Sequence, residues 1–321
     1  MDGDENSPRI LIFCSNTQKD LLKSSDYWLA DGTFSVVEKT MFYQLFIITG
    51  VTQTGVTVPC LFALLPNKES TSYQEIFQFL KDNGIDAPPN LKTDFEKAII
   101  KAFLNVYPGA TVRGCDVHYK RAIRTKLSST DYGLGSLYLH NVEFQTLVRY
   151  LWSLSLVPES DIISVWENYI SQKYESLKPG FEEDGESVDE FLGYFERTWL
   201  GALNWRTGAR KQPIFKHALW NKYSSVLEDD PTTSNSAEGF NGALALSMPR
   251  NCSLWMLIQQ LRTEENNVVR KIRDASVCSN LNSSRNLGRA QKHADLKNVV
   301  STYNKVPLGV YMDSLIGFFN S

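Results

Sequence analysis

The chain has no long run of uncharged apolar residues, so a membrane-spanning helix is not expected. Such a helix needs about 20 consecutive apolar residues. The longest candidate run, FYQLFIITGV, has the length and the composition of a β-strand. The sequence begins with MDGDENSPRI, which lacks the basic start and apolar centre of a secretory signal peptide. These two absences indicate an intracellular protein.

Paired cysteines and a large excess of one charge are also missing. The five cysteines form an odd, scattered set, which predicts reduced thiols rather than a disulfide framework. With 33 basic and 36 acidic residues the net charge is −3, which alone does not indicate a nucleic-acid-binding protein. The charges are unevenly distributed, however, because basic residues concentrate at 118–126 and acidic ones at 182–190. The basic segment is therefore where a contact with nucleic acid is expected first.

Apolar periodicity divides the chain into an α/β part and a helical part. Three strand-like segments, YWLADGTFSVV, FYQLFIITGVT and GVTVPCLFALL, are followed by helix, strand, helix and strand. This order predicts a mixed α/β core. Residues 119–230 are predicted to be mainly helical, and core helices resume at about 236–247 and 253–275. A core interrupted by an insertion suits a chain of 321 residues.

This periodicity sets the predicted domain boundaries. The start of the chain has one short apolar run, ILIFC, and its end is polar and basic before the apolar stretch GVYMDSLIGFF. We predict an N-terminal lead-in at 1–25, an α/β core formed by 26–118 and 231–278, a helical insertion at 119–230, and a C-terminal tail at 279–321.

Three short acidic motifs are candidates for a metal site. They contain Asp31 in WLADGTF, Asp94 in LKTDFEKA and Glu238 in TSNSAEGFNGAL. Mg²⁺ prefers oxygen ligands and is usually bound by one or two carboxylates with water and phosphate. Two such ions can stabilise both the attacking and the leaving oxygen of an in-line displacement at phosphorus. If the three carboxylates converge, chemistry on phosphate esters is expected.

Each carboxylate also has a structural interpretation, and the residues alone leave both open. The Asp31-Gly32 pair is a typical two-residue hairpin signal. Asp94 precedes a helical segment, where aspartate is a preferred N-cap residue. Glu238 has the spacing of a capping box that begins at Asn235. Helical spacing would place Asn241 on the same face as Glu238.

In this order, the motifs WLADGTF, TDFEKAI, GCDVHYKRAI and TSNSAEGFNGAL resemble the catalytic domain of Mutator-like element transposases. The resemblance extends over roughly residues 25–275. It includes the spacing, with 63 residues from Asp31 to Asp94 and 144 from Asp94 to Glu238. These transposases belong to the DDE enzymes with a ribonuclease-H-like fold.

The resemblance implies a fold, a cofactor and a reaction. The fold would be a mixed five-stranded sheet flanked by helices and interrupted by a large all-helical insertion. Asp31, Asp94 and Glu238 would be the catalytic residues and would bind two Mg²⁺ or Mn²⁺ ions. The reaction would be hydrolysis of DNA phosphodiesters followed by strand transfer. The partners would be the transposon ends and the target DNA, bound in the nucleus by a homo-oligomer.

An alternative of a different class remains open. Full-length relatives typically carry a separate zinc-containing DNA-binding domain upstream, and the first 25 residues hold no Cys/His array. The chain is therefore either a fragment or a derivative that has lost recognition of transposon ends. A domesticated nuclear protein that binds DNA or proteins without transposition is the corresponding alternative function.

Cys115 and His118 form a C-x-x-H pair that also resembles a family motif. A structural zinc site needs about four ligands, and no second pair lies nearby in the sequence. Zinc is therefore not expected. The remaining interpretations are a structural pair beneath the active site, or a contact between His118 and a DNA phosphate.

Basic and aromatic residues supply the last candidates for DNA contact. Lys120, Arg121 and Arg124 lie in the basic segment, and they form either a solvated helix face or a set of phosphate contacts. Most tryptophans of 119–230 have apolar neighbours and are expected in a core. Trp220 lies between Lys216 and Lys222, so it is the tryptophan predicted to stack on a DNA base.

Overall fold

A computed structural model describes residues 9–51, 57–88, 90–229, 234–249, 252–277 and 284–319. The side chains of residues 234–238, 274–277, 284–287 and 289 lie outside this description. The chain divides into two compact units. The first unit contains residues 1–115 and 233–281, and the second contains 116–232 and 282–321.

Within the described residues, six strands form one mixed sheet in the first unit. The strands are β1 (Leu11–Phe13), β2 (Tyr27–Thr33), β3 (Gln44–Val51), β4 (Thr57–Leu65), β5 (Asn90–Thr93) and β6 (Thr111–Gly114). Their spatial order is β1-β4-β3-β2-β5-β6. The pairs β1–β4, β4–β3 and β3–β2 are antiparallel. The pairs β2–β5 and β5–β6 are parallel. The predicted mixed α/β class is therefore confirmed.

The sheet has one strand more than the five expected. The additional strand is the ILIFC run of the predicted lead-in, where Leu11 pairs antiparallel with Leu64 of β4. A strand of three residues has too short a pattern to be recognised from the sequence. Pairing with the long strand β4 satisfies its backbone groups. Residues 52–55, TQTG, predict a tight connection between β3 and β4, and they lie outside the described residues.

The helices account for most of the remaining chain. In order they are α1 (Asn16–Lys23), α2 (Ser70–Asp82), α3 (Lys97–Val106), α4 (Asp116–Leu127), α5 (Gly135–His140), α6 (Val142–Ser153), α7 (Ile162–Val165), α8 (Ser171–Leu177), α9 (Gly185–Phe195), α10 (His217–Trp220), α11 (Tyr223–Leu227), α12 (Ser234–Ser247), α13 (Leu254–Val277), α14 (Ser284–Val300) and α15 (Leu308–Ile316). No helix among the described residues is long and apolar enough to cross a membrane.

Helices cover the two faces of the sheet with separate apolar cores. On one face, α1, α2 and α3 bury their apolar residues against strand residues that include Ala30 and Ile48. On the other face, Leu244 of α12 and Leu257 of α13 pack against a set that includes Ile47. Alternate residues of a strand point to opposite faces, and β1, β3 and β4 contribute to both cores.

The C-terminal segment is part of the second unit rather than a separate tail. Tyr311, Met312 and Leu315 of α15 are fully buried. The carboxylate of Asp313, also on α15, accepts hydrogen bonds from the hydroxyls of Tyr150 and Tyr169. These contacts join α15 to the helical region before it, so the apolar run at the end of the sequence completes a core.

The Asp313 cluster makes a testable contribution to stability. Burial raises the pKa of the Asp313 carboxyl, but hydrogen bonds from Tyr150 and Tyr169 and the charge of Lys173 lower the pKa by more, leaving it below its ordinary value. A carboxyl whose pKa is depressed on folding stabilises the protein above its unfolded pKa of about 3.9. That stability is lost as pH falls through the folded pKa.

Asp313→Asn should therefore lower the free energy of unfolding at pH 7 by about 1 kcal/mol, a value reduced for the partial exposure of the cluster. The difference from wild type should shrink below pH 4. Urea unfolding followed by circular dichroism between pH 3 and pH 7 measures both effects. Asp295→Asn, at an exposed position of α14, is the matched control and should leave the curve unchanged. A constant difference at all pH values would contradict this assignment.

Candidate active site

Asp31 lies inside a strand and not in a hairpin turn. It pairs with Ile47 of β3, and β2 continues through Gly32 and Thr33 in the same register. The hairpin interpretation of the Asp31-Gly32 pair is therefore wrong. Gly32 leaves room for a neighbouring side chain, because a Cβ atom there would lie 2.5 Å from Oε1 of Gln44 and would displace it.

The strand register determines which face of the sheet Asp31 occupies. Residues directly opposite in an antiparallel pair share a face, so Asp31 is on the face of Ile47, which α12 and α13 cover. Two hydrogen bonds orient its carboxylate. Nδ2 of Asn241, on α12, donates to Oδ2 at 2.7 Å, and the backbone N–H of Gly32 donates to Oδ1 at 2.8 Å. Each carboxylate oxygen keeps a further lone pair for a ligand.

Asp94 occupies the equivalent position on the neighbouring parallel strand. The last registered pair between β2 and β5 is Ala30 with Thr93, and each of these two residues is followed in the sequence by an aspartate. Neighbouring strands lie about 4.8 Å apart. The backbones of Asp31 and Asp94 are therefore side by side at the carboxyl edge of the parallel strands. The backbone N–H of Cys115 donates to Thr93 O at 2.8 Å, so Cys115 follows β6 at the same edge.

The structure does not place Asp94 as the N-cap of the following helix. α3 begins at Lys97, and Asp94 Oδ1 accepts a hydrogen bond from the backbone N–H of Glu96 at 3.3 Å, ahead of the helix. The carboxylate of Glu96 accepts from the Tyr73 hydroxyl at 2.6 Å and pairs with Lys68 at 2.8 Å. Asp94 is half-buried.

The structure describes the backbone at Glu238, which lies on α12, but the side chain is outside the described part. Asn235 is within the same helix, so it is not the N-cap that the capping-box interpretation requires. Asn241 follows Glu238 by three residues, a rise of about 4.5 Å along the helix axis. Residues at this spacing are neighbours on a helix surface. The backbone of Glu238 is therefore about one turn from the residue that contacts Asp31.

The described part of this site supplies hard oxygen donors. Among the side chains that the structure describes, no group of three or more His, Cys, Asp or Glu residues is arranged to bind a metal ion. Glu238 is not among those side chains. An aspartate inside β2 and another directly after the neighbouring β5 suit Mg²⁺ or Mn²⁺, which favour carboxylate oxygen. The donor set therefore fits a divalent cation of this class.

Cys115 and His118 belong to different parts of the fold. Cys115 is buried at the end of β6 in the first unit, and His118 is half-buried on α4 of the second unit. The structure thus supports a structural position for Cys115. The contact between His118 and a DNA phosphate stays a prediction.

The basic residues of α4 differ in how their charges are compensated. Lys120 pairs with Asp116 at 2.8 Å. Arg121 and Arg124 are exposed, and the guanidinium of Arg124 lies 5.4 Å from the centre of the Tyr138 ring. The guanidinium of Arg124, which contacts a neutral ring, is therefore better suited to an anionic partner than the amine of Lys120.

Trp220 is not available for stacking on a base. Its side chain is 1 % exposed and lies parallel to the ring of Tyr119, with ring centroids 5.3 Å apart. Trp199 packs edge-on against the same pair. The lysines that flank Trp220 in the sequence suggested a surface position, but the short helix α10 directs the indole into the core.

An exposed tryptophan that the sequence analysis did not select lies nearby in the chain. Trp205 is 81 % exposed at the tip of a turn, and the guanidinium of Arg206 lies 4.9 Å from its ring centre. The turn is closed by the pairing of Leu203 with Arg210. Asn204 followed by Gly208 was the available signal, because both residue types favour turns.

The base of this turn is fixed by charged contacts. Nη1 of Arg210 donates to Glu196 at 2.6 Å and to the carbonyl oxygen of Gly201 at 2.7 Å, and Nη2 donates to Glu167 at 2.8 Å. Gly201 has φ +91°, and a Cβ atom there would lie 1.9 Å from Lys211 O. A rigid base therefore supports the exposed Trp205 and Arg206.

Comparisons with known proteins bear on the region that holds this edge of the sheet. Residues 27–122 match a sequence model described as the MULE transposase domain. The match includes Asp31, Asp94, Cys115, His118, Lys120 and Arg121, and it ends before Arg124, Trp220, Glu238 and Asn241. A comparison with curated proteins found no match.

The hydrogen bond between Asn241 and Asp31 should stabilise the packing of α12 on the sheet. A hydrogen bond to a charged group contributes about 1.5–3 kcal/mol, and this one is partly buried. Asn241→Ala should lower the free energy of unfolding by about 1–2 kcal/mol in urea. Leu246→Ala, at a 90 % exposed position of the same helix, should change it by less than about 0.5 kcal/mol. Equal stability of the two variants would show that this bond does not hold α12.

Proposed function

We propose that this chain, which contains a Mutator-like element transposase domain at residues 27–122, is the catalytic core of a DDE transposase. It would cut DNA phosphodiesters at the element ends and join the cut ends to a target. The observation that carries this proposal is the register between β2 and β5, which makes Asp31 and Asp94 neighbours. Ligand sites in α/β sheets gather at the carboxyl ends of parallel strands; Asp94 follows the end of β5, and Asp31 lies where the parallel pairing of β2 with β5 ends.

A ribonuclease-H-like fold is part of the proposal. Three long antiparallel strands, β4, β3 and β2, are followed in space by the short parallel strands β5 and β6. Helices cover both faces of this sheet. The strand order and the position of Asp31 on the central strand β2 support the assignment.

Glu238 is proposed as the third acidic residue of the site. The support is indirect and comes from the helix that carries it. Asn241 connects α12 to the carboxylate of Asp31, and Glu238 precedes Asn241 by about one helical turn. Because residues three apart share a helix face, the backbone position of Glu238 suits a side chain directed toward the same edge.

Asp31, Asp94 and Glu238 would hold two Mg²⁺ or Mn²⁺ ions, which would act as Lewis acids on the oxygens at the reacting phosphorus. The role of the surrounding residues is to orient the ligands. Asn241 and the Gly32 N–H hold the two oxygens of Asp31 in a defined plane. Such positioning is the protein's main contribution to phosphoryl-transfer chemistry.

Contacts to DNA are proposed for exposed groups of the second unit. Arg121 and Arg124 are cationic and exposed on α4, which suits the phosphate backbone. Trp205 offers an exposed ring beside the cationic Arg206, a combination that suits stacking on an unpaired base. Joining two DNA ends requires two active sites, so a homo-oligomer on DNA is proposed. A chromosomal target implies the nucleus.

Substitution of the acidic residues tests the catalytic proposal directly. Asp31→Asn, Asp94→Asn and Glu238→Gln should each reduce Mg²⁺-dependent nicking of supercoiled DNA by about 100-fold or more, because each removes a charged metal ligand. Agarose gels of the time course measure the rate. Asp86→Asn, at an exposed position of the first unit, should nick at the wild-type rate.

Unchanged nicking by Asp31→Asn would contradict the assignment of the site. A wild-type chain that binds DNA but does not nick it in Mg²⁺ or Mn²⁺ would instead support the alternative function, a transposase-derived binding protein. Circular dichroism of each variant separates a loss of activity from a loss of fold.

The exposed turn gives a second prediction. Stacking of one base on an aromatic side chain contributes about 1–3 kcal/mol, so Trp205→Ala should raise the dissociation constant for single-stranded DNA by about 5- to 100-fold. Fluorescence anisotropy with a labelled oligonucleotide measures this change. Trp205→Phe keeps an aromatic ring and should recover most of the affinity. Equal binding by wild type and Trp205→Ala would exclude a base contact at this turn.

A further inference from the structure

A cavity of about 530 Å³ opens at the surface of the second unit. It lies where the end of α4, the helices α5 and α6, and the turn Gly317–Phe319 come together. Its volume is in the range of sites that bind small molecules, about 300–1,000 Å³. The cavity contains none of the proposed metal ligands, and of the residues proposed to contact DNA it is lined by Arg124 alone.

The charge of the cavity is positive. Arg124 and Arg149 both line it, and no acidic residue does. Nη2 of Arg124 donates to the Tyr138 hydroxyl at 3.3 Å, and Nη2 of Arg149 donates to Oε1 of Gln145 at 3.5 Å. Both partners are neutral, and the described residues place no carboxylate within ion-pair distance of either guanidinium.

Nearby lysines show the opposite arrangement. Lys120 and Lys126, on the same helix as Arg124, form ion pairs with Asp116 and Asp131 at 2.8 Å and 2.5 Å. The two lysines near the cavity are therefore paired with carboxylates, whereas the two arginines that line the cavity contact only neutral groups. Two guanidinium groups in one cavity favour a doubly charged anion with several acceptor oxygens, and a phosphate group has both properties.

The walls favour a ligand larger than phosphate alone. The guanidinium of Arg124 lies beside two aromatic rings, 5.4 Å from the centre of Tyr138 and 5.5 Å from that of Trp152. Such contacts restrict its orientation before a ligand arrives. Leu139 and Phe319 add apolar surface, and an inorganic phosphate would leave most of the volume unfilled.

We propose that this cavity binds a nucleotide through its 5′-phosphate. Arg124 and Arg149 contact the phosphate oxygens, the Ser128 hydroxyl donates a further hydrogen bond, and the apolar wall of Tyr138, Leu139 and Phe319 receives the base. The same chemistry is offered by a free mononucleotide and by the phosphorylated 5′ end of a DNA strand. The proposal does not depend on cleavage activity.

Isothermal titration calorimetry of the full chain in EDTA tests the proposal without the metal-dependent site. The probes are dAMP, deoxyadenosine, inorganic phosphate and a short oligothymidylate with or without a 5′-phosphate. We expect dAMP or the 5′-phosphorylated oligonucleotide to bind, and the probes without a terminal phosphate to bind at least tenfold more weakly. Tighter binding of the phosphorylated oligonucleotide identifies a DNA end as the source, and tighter binding of dAMP identifies a free nucleotide.

Variants locate the binding in the cavity. Arg124→Gln and Arg149→Gln should each weaken binding of the phosphorylated probe by about tenfold or more, since each removes a charge-assisted contact. Arg149→Lys keeps the charge without the planar fork, so its affinity for the phosphorylated probe should lie between those of the wild type and Arg149→Gln. Arg197→Gln is the matched control because Arg197 is an exposed arginine of the same unit that does not line the cavity.

Three results would overturn the proposal: no binding of either phosphorylated probe, binding of inorganic phosphate as tight as that of both, or wild-type affinity in both glutamine variants. Urea unfolding shows whether a variant that does not bind is folded, and Arg149→Lys provides the folded comparison. Asp31→Asn should lose nicking but still bind the probes. A failure of nucleotide binding is therefore distinct from a failure of the catalytic proposal.

Discussion

The parallel register between β2 and β5 is the constraint on which the account of this protein depends. Because Ala30 pairs with Thr93, the aspartates that come directly after these two residues are neighbours in the sheet, although they are 63 residues apart in the sequence. A slip of one residue in either strand would move a side chain to the other face of the sheet. The apolar cores on the two faces fix the register, so they also fix the relation between the carboxylates.

A second long-range contact connects the later part of the chain to this pair. Asn241 and Asp31 are 210 residues apart in sequence and hydrogen-bonded in the fold. The region between them contains residues 116–232 of the second unit, whose core includes packed tryptophan and tyrosine rings. Hydrophobic burial of α12 beside Ile47 positions Asn241. The apolar core and the polar contact thus act on the same helix.

Much of this fold could be predicted from the sequence, because the three long strands and the helices α2, α3, α12 and α13 have clear periodicity. Features that depend on distant partners could not. β1 forms because β4 pairs with it, and Asp31-Gly32 is a strand segment because β3 pairs with it, although its local signal is that of a turn. Trp220 and Trp205 have similar basic neighbours, and only the packing of the second unit distinguishes the buried ring from the exposed one.

The central claim is that Asp31 and Asp94 jointly hold divalent metal. Electron paramagnetic resonance of Mn²⁺ titrated into the folded chain tests it most directly, since bound and free ions give different signals. The account predicts bound Mn²⁺ in the wild type and at least tenfold weaker binding when either aspartate is changed to asparagine. Absence of bound Mn²⁺ in the wild type, or undiminished binding in both variants, would contradict it.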